Sequence, residues 1–161
     1  MFRRLLEGLD RALTVTLVAA MAAMVIVVSA QVALRYGFNR SIDWADEIGR
    51  LAFVWSIFLA VPLGVRHGAH IGIDLLADAL PEALRKSLKR TGAVLCAILM
   101  FVIAWAALGV AREQWDELMA TVDWSVGWFV VPVGLGALMS ALHMLEIALS
   151  GPPRSAGSVA E

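Results

Sequence analysis

From position 13 to position 34 the chain carries not one charged side chain. At 1.5 Å per residue a helix of that length crosses the roughly 30 Å hydrocarbon core of a bilayer, so the run reads as a membrane span. Two further charge-free runs, 91–111 and 124–142, are long enough to do the same. A fourth, 51–65, is shorter and lies between Arg50 and Arg66. It crosses if those arginines snorkel and Ile48 and Gly49 join the helix. The expected organisation is a single all-α membrane domain, residues 1–148, with spans near 13–34, 48–65, 91–111 and 124–145. A flexible, Pro/Gly/Ser-rich tail at 149–161 should follow it.

Composition agrees. The chain is 60% hydrophobic and 17% charged, against about 45–50% and 25% for a soluble domain, and its mean hydropathy is +0.79. A net charge of −1 leaves no basic face for a nucleic acid. A single cysteine, Cys96, excludes an intramolecular disulfide and a Cys-based metal cluster. The first run follows Arg3, Arg4 and Arg11, and Val28-Ser29-Ala30 imitates a cleavage site. Its apolar part nevertheless exceeds the roughly 7–15 residues of a signal peptide, so it reads as a retained anchor.

Lysine and arginine are unequally shared between the two sides of such a topology. The N-terminal tail, the 66–90 segment and the C-terminal tail together carry nine, and the segments 35–50 and 112–123 carry four. The positive-inside rule then places both termini in the cytoplasm. Phe2, Leu5, Leu6, Leu9 and Leu13 share one helical face, which predicts a short interfacial helix before the first span. Ile71, Leu75, Leu76 and Leu80, then Leu84 and Leu88 after a break at Pro81, predict the same for the 66–90 segment.

Candidate chemistry is sparse. An ionisable residue in mid-membrane marks function by default, and these runs contain none. His143, at the inner end of the fourth run, is expected to point toward the interface. His67, His70 and Asp74 would share a face if their segment were helical. Gly68 and Gly72 oppose a helix there and no third His or Cys is near, so a polar turn is the better reading than a metal site. No catalytic set or phosphate loop is present, so the chain reads as neither an enzyme nor a cofactor carrier. Ile42-Asp43-Trp44 and Val122-Asp123-Trp124 each precede a run containing Pro and Gly (Pro62 and Gly64; Pro132 and Gly134). Their spacing differs, so interfacial anchoring explains the echo better than a repeat.

The most pointed stretch is 41–55, SIDWADEIGRLAFVW. Trp44, Ile48, Leu51 and Trp55 make an apolar stripe. Asp46 and Arg50 stand at i,i+4 and Glu47 and Arg50 at i,i+3, spacings at which ion pairs form on a helix. The bland outcome is an exposed salt bridge; the functional one is a contact with a partner or another helix.

Arg35-Tyr36, then Trp44, Glu47, Arg50, Phe53 and Trp55, then His70-Ile71 and Asp74, resemble the small permease subunit of tripartite ATP-independent periplasmic (TRAP) transporters, the DctQ-like family. The resemblance covers roughly residues 10–148; Ala60 departs from it, where the family commonly has Gly. It implies a non-catalytic inner-membrane subunit partnered by a large permease subunit and a periplasmic solute-binding protein. The large subunit would move an organic acid by a sodium-driven elevator motion, with the small one as its scaffold. Arg35, Trp44, Glu47, Arg50, Trp55, His70 and Asp74 are then subunit-interface or structural candidates. The competing readings are a stand-alone four-span protein, such as a homodimeric exporter, and a membrane enzyme or haem subunit using His67, His70 and His143.

Overall fold

A computed structural model describes residues 2–66 and 81–150. Four helices dominate them: α1 (Phe2–Phe38), α2 (Ala45–Arg66), α3 (Glu82–Glu113) and α4 (Val131–Ser150). All four are long and apolar enough to cross a membrane. A short 3-10 turn, Val126–Phe129, precedes α4, and the only β-type pairing among the described residues is a single bridge between Leu118 and Ser125.

The helices outrun the charge-free segments. α1 has 37 residues, about 55 Å at the standard rise, so the N-terminal interfacial helix expected from residues 2–13 is instead the first part of the spanning helix. α3 likewise starts at Glu82, directly after Pro81, and runs unbroken into its apolar part. Charge ends an apolar run, but Leu, Arg, Lys, Glu and Ala all propagate a helix, so the backbone has no reason to stop where the charges begin. On α3 the Lys86 ammonium lies 2.8 Å from the Glu82 carboxylate, which holds Glu82 below its usual pKa. The histidine-rich segment, with His67, His70 and Asp74, and the residues 151–161 lie outside the described part of the chain.

Each helix stops or bends for a local reason. α1 ends where Asn39 takes a left-handed φ of 49°, a conformation Asn tolerates better than most residues. The Arg40 amide closes the end on the Leu34 carbonyl at 3.1 Å. α2 opens on the Ala45 amide, bonded to the Ile42 carbonyl at 3.1 Å. It carries Pro62 in its interior, where the missing N–H cannot bond the Phe58 carbonyl one turn back.

Packing is laid out as a row. The α1 backbone approaches α2, α2 approaches α4, and α4 approaches α3, while no other pair of the four comes into backbone contact among the described residues. Gly136 makes the α2–α4 approach possible: a Cβ there would lie 2.2 Å from the Phe58 carbonyl oxygen. Leu59, Pro62, Pro132 and Ser140 are the largest fully buried side chains, and all lie on α2 and α4, the two middle helices. Val65, Ala93 and Met144 close one end. The large apolar residues of the edge helices point outward, Val15, Val18, Val25 and Ile26 on α1 and Leu95, Ile98, Phe101 and Trp105 on α3. Inverted burial of this kind suits lipid or a protein partner, not water.

Candidate functional site: ties between the helices

The loop between α3 and α4 folds back on itself. The Met119 amide bonds the Trp124 carbonyl and the Val126 amide bonds the Glu117 carbonyl, both at 2.8 Å. The Ser125 hydroxyl accepts from the Gly127 amide at 3.0 Å, capping the 3-10 turn. The tip of this loop lands on α2. There the Glu47 carboxylate accepts the Ala120 amide at 2.8 Å, the Thr121 amide at 2.9 Å and the Thr121 hydroxyl. Three donors from one loop, two of them backbone amides, thus converge on a single carboxylate.

One helical position earlier, Asp46 accepts the Gln31 side-chain amide at 3.0 Å. Gln31 is a buried polar residue of α1, and this bond satisfies it. The ion pairs expected from the Asp46/Arg50 and Glu47/Arg50 spacings therefore do not form; both acids face other elements, and Arg50 is exposed. Neutral donors fixed by folding win over a flexible guanidinium, whose exposed pairing is worth little.

Two turns further along α2, the Trp55 indole N–H donates to the Trp128 carbonyl at 3.1 Å. The Trp55 and Trp128 rings lie 6.2 Å apart at 35°, and the Trp115 and Trp128 rings 5.9 Å apart at 44°. This chain of three rings joins α2, the 3-10 turn and the turn that follows α3, and the spacing is favourable for tilted aromatic pairs.

At the opposite end, near the chain termini, three ionisable side chains from three helices meet. Asp10 of α1 is 4% exposed and His143 of α4 is 2% exposed. The Asp10 carboxylate bonds the His143 Nε2 at 2.8 Å through one oxygen and the Arg66 guanidinium of α2 through the other. Pairing and hydrogen bonding together make a buried carboxylate tolerable. The sequence expectation placed His143 at the interface; it faces inward instead. Its partner is on the first helix and it is on the last, beyond any periodicity argument, although a lone His in an apolar run always demands a partner.

Of the residues singled out from sequence, Glu47 and Trp55 are brought to ties between elements. Trp44, Arg35 and Arg50 are exposed. Trp44 and Arg50 border the same end of the row as the Glu47 tie, and Arg35 lies in the last turn of α1. Ala60 also faces outward, and Gly64 has open space around it. The close α2–α4 approach therefore runs through Gly136, which spacing did not single out. Trp44 lies before α2 and Trp124 in the bridged loop, so the two Asp-Trp pairs occupy different structural settings.

The four long helices and their outward apolar faces define the class: a multi-pass, all-α membrane protein held by ties at its ends. Residues 24–151 match the family model described as "Tripartite ATP-independent periplasmic transporters, DctQ component", and the chain belongs to that family, in the inner membrane. One Haemophilus influenzae protein named as a TRAP transporter small permease protein is 36% identical over 47% of this chain, a match spanning about half of that relative's own length (47%). A second protein of the same name and organism is 28% identical over 92% of this chain and 87% of its own. The isethionate TRAP transporter permease protein DctMQ of Oleidesulfovibrio alaskensis is 25% identical over 88% of this chain, which corresponds to only 24% of that longer protein.

Proposed function

We propose that this chain is the fixed, non-catalytic small subunit of a TRAP transporter that takes up an organic acid. A separate large subunit would carry out the sodium-coupled movement. The observation that carries the reading is the placement of charge. The stretches 12–34, 51–65 and 91–111 contain no ionisable group other than Cys96. The buried Asp10 and His143 meet at the terminal end of the row, where Asp10 binds both His143 and Arg66. A carrier needs groups that bind and release along a path; here the polar groups are spent on joining helices, which suits a scaffold.

The relative in which a similar segment forms about a quarter of one chain named DctMQ supports a partner held permanently beside this one. That relative is named for isethionate, a sulfonate, while others are named for a C4-dicarboxylate and for sialic acid; a carboxylate is the solute proposed here. The termini, by the lysine and arginine count, lie in the cytoplasm. The loop tied to Glu47 then faces the periplasm, on the side from which a solute-binding protein delivers. Arg35, Trp44, Arg50, His70 and Asp74 are proposed as contacts to these partners or as local structure.

The test is uptake in proteoliposomes under a sodium gradient. The chain alone should move no solute, and addition of the large permease subunit and the binding protein should restore uptake. Robust uptake by the isolated chain overturns the proposal.

A further inference from the structure

A furrow runs between α3 and α4 at the end away from the chain termini. Its upper hollow, about 470 Å³, is lined by Arg112, Trp115 and Asp116 together with Leu108, Ala111 and Val131. A lower hollow of about 280 Å³ shares Leu108, Ala111 and Val131 and continues past Ala104, Ala107 and Gly134. Small residues, Ala104, Ala107 and Gly134, leave room between the larger Leu108, Leu135 and Leu138 of its lining: a Cβ on Gly134 would meet only the Ala107 Cβ, at 3.5 Å. From Arg112 to Ala104 the helix rises about 12 Å, most of the roughly 15 Å of one leaflet. The furrow thus begins at headgroup level and descends along a chain's length of hydrocarbon.

Its upper end carries one positive and one negative side chain. Arg112 and Asp116 are both exposed, and among the described residues neither forms an ion pair. They stand beside Trp115, whose indole suits the membrane interface. A guanidinium binds a phosphate through paired N–H donors. A carboxylate beside it repels a net-anionic lipid and accepts hydrogen bonds from a primary ammonium, which a quaternary ammonium cannot donate. We propose that the furrow holds one zwitterionic aminophospholipid, with its phosphate on Arg112, its ammonium on Asp116 and an acyl chain along Ala104, Ala107 and Gly134. The site requires only that the chain is inserted in a membrane, and it stands or falls independently of the scaffold role.

The test uses the full chain, alone and in complex with its permease subunit. The sample is delipidated in mild detergent and offered equal amounts of dioleoyl phosphatidylethanolamine, phosphatidylcholine and phosphatidylglycerol. Lipid retained after size exclusion is measured by mass spectrometry. Phosphatidylethanolamine should be retained about fivefold over either competitor, the ratio that corresponds to one well-placed polar contact. Arg112→Gln should lower retention of all three lipids. Asp116→Asn should bring phosphatidylethanolamine to the level of phosphatidylcholine and raise phosphatidylglycerol. Leu108→Trp, which fills the shared wall from an exposed position, should empty the furrow. Equal retention of the three lipids by the unaltered chain overturns the proposal, and that comparison stands even if a variant fails to fold. So does an ethanolamine preference that survives Asp116→Asn. A photocrosslinker at position 108 that joins the permease subunit instead of lipid overturns it as well.

Discussion

The Phe58 carbonyl of α2 cannot take its usual intrahelical hydrogen bond, because Pro62 stands one turn on, and it meets α4 where Gly136 has no side chain. A Cβ at Gly136 would lie 2.2 Å from that oxygen and 3.0 Å from its carbon. Proline and glycine thus act as a pair across two helices: one bares a carbonyl, and the other lets a backbone approach it, in the manner of Cα–H···O contacts at helix interfaces.

Gly136→Ala should therefore be costly, since the obstacle is backbone and cannot rotate away. We expect a loss of about 1–3 kcal/mol, the usual range for overpacking, and reduced disulfide crosslinking between cysteine pairs placed on α2 and α4. Gly64→Ala, at an open position on α2, should leave thermal stability in detergent within about 0.5 kcal/mol. Equal stability of the two variants would contradict the pairing.

Glu47→Gln should loosen the loop between α3 and α4. An amide side chain has one acceptor oxygen where the carboxylate uses two, so at least one of the Ala120 and Thr121 amides loses its partner. Hydrogen exchange at these two amides should rise about tenfold, with the helices unchanged. If exchange there stays as slow as in the unaltered chain, the carboxylate is not what holds the loop.

Asp10→Ala should weaken the terminal end of the row. Arg66 is partly exposed and can turn to solvent, but the buried His143 is left without its partner. A cost of about 1–3 kcal/mol follows from an unsatisfied buried group. Paired with His143→Ala in a double-mutant cycle, the coupling should be about 0.5–3 kcal/mol. Strict additivity of the two changes would mean that the Asp10–His143 contact contributes nothing.

Trp55→Phe keeps a smaller ring in the aromatic chain and removes the N–H to the Trp128 carbonyl. It should cost about 0.5–1.5 kcal/mol. Trp55→Ala should cost more and shift the emission of Trp115 and Trp128 as their packing opens. Similar spectra for the two variants would argue against ring packing as the larger contribution.

The four helices are readable in the sequence because crossing a bilayer demands about 20 apolar residues in a row, and few sequences meet that demand by chance. Their lengths are not, because Glu7, Arg11, Arg85 and Lys89 interrupt an apolar pattern without interrupting a backbone. Trp55 is marked by its place on the stripe with Trp44, Ile48 and Leu51. Glu47 is marked too, but with the wrong partner: helical spacing can pair it with Arg50, whereas its actual donors are two backbone amides and a hydroxyl in a distant loop. Backbone donors carry no signature in a side-chain pattern. The meeting of Asp10, Arg66 and His143 is hidden for a related reason, since it depends on how α1, α2 and α4 converge.

A row of four helices has the geometry of a hinged panel. α1 with α2 forms one leaf and α3 with α4 the other, and the α2–α4 seam is the line along which they would fold. Three fasteners are spaced along that seam: the Asp10–His143 contact at one end, the Phe58–Gly136 approach within it, and the Glu47 and Trp55 bonds at the other end. A panel pinned at both ends and in its middle resists bending far better than one pinned at a single point. A push at one end of the row is thus carried to the other without creasing it.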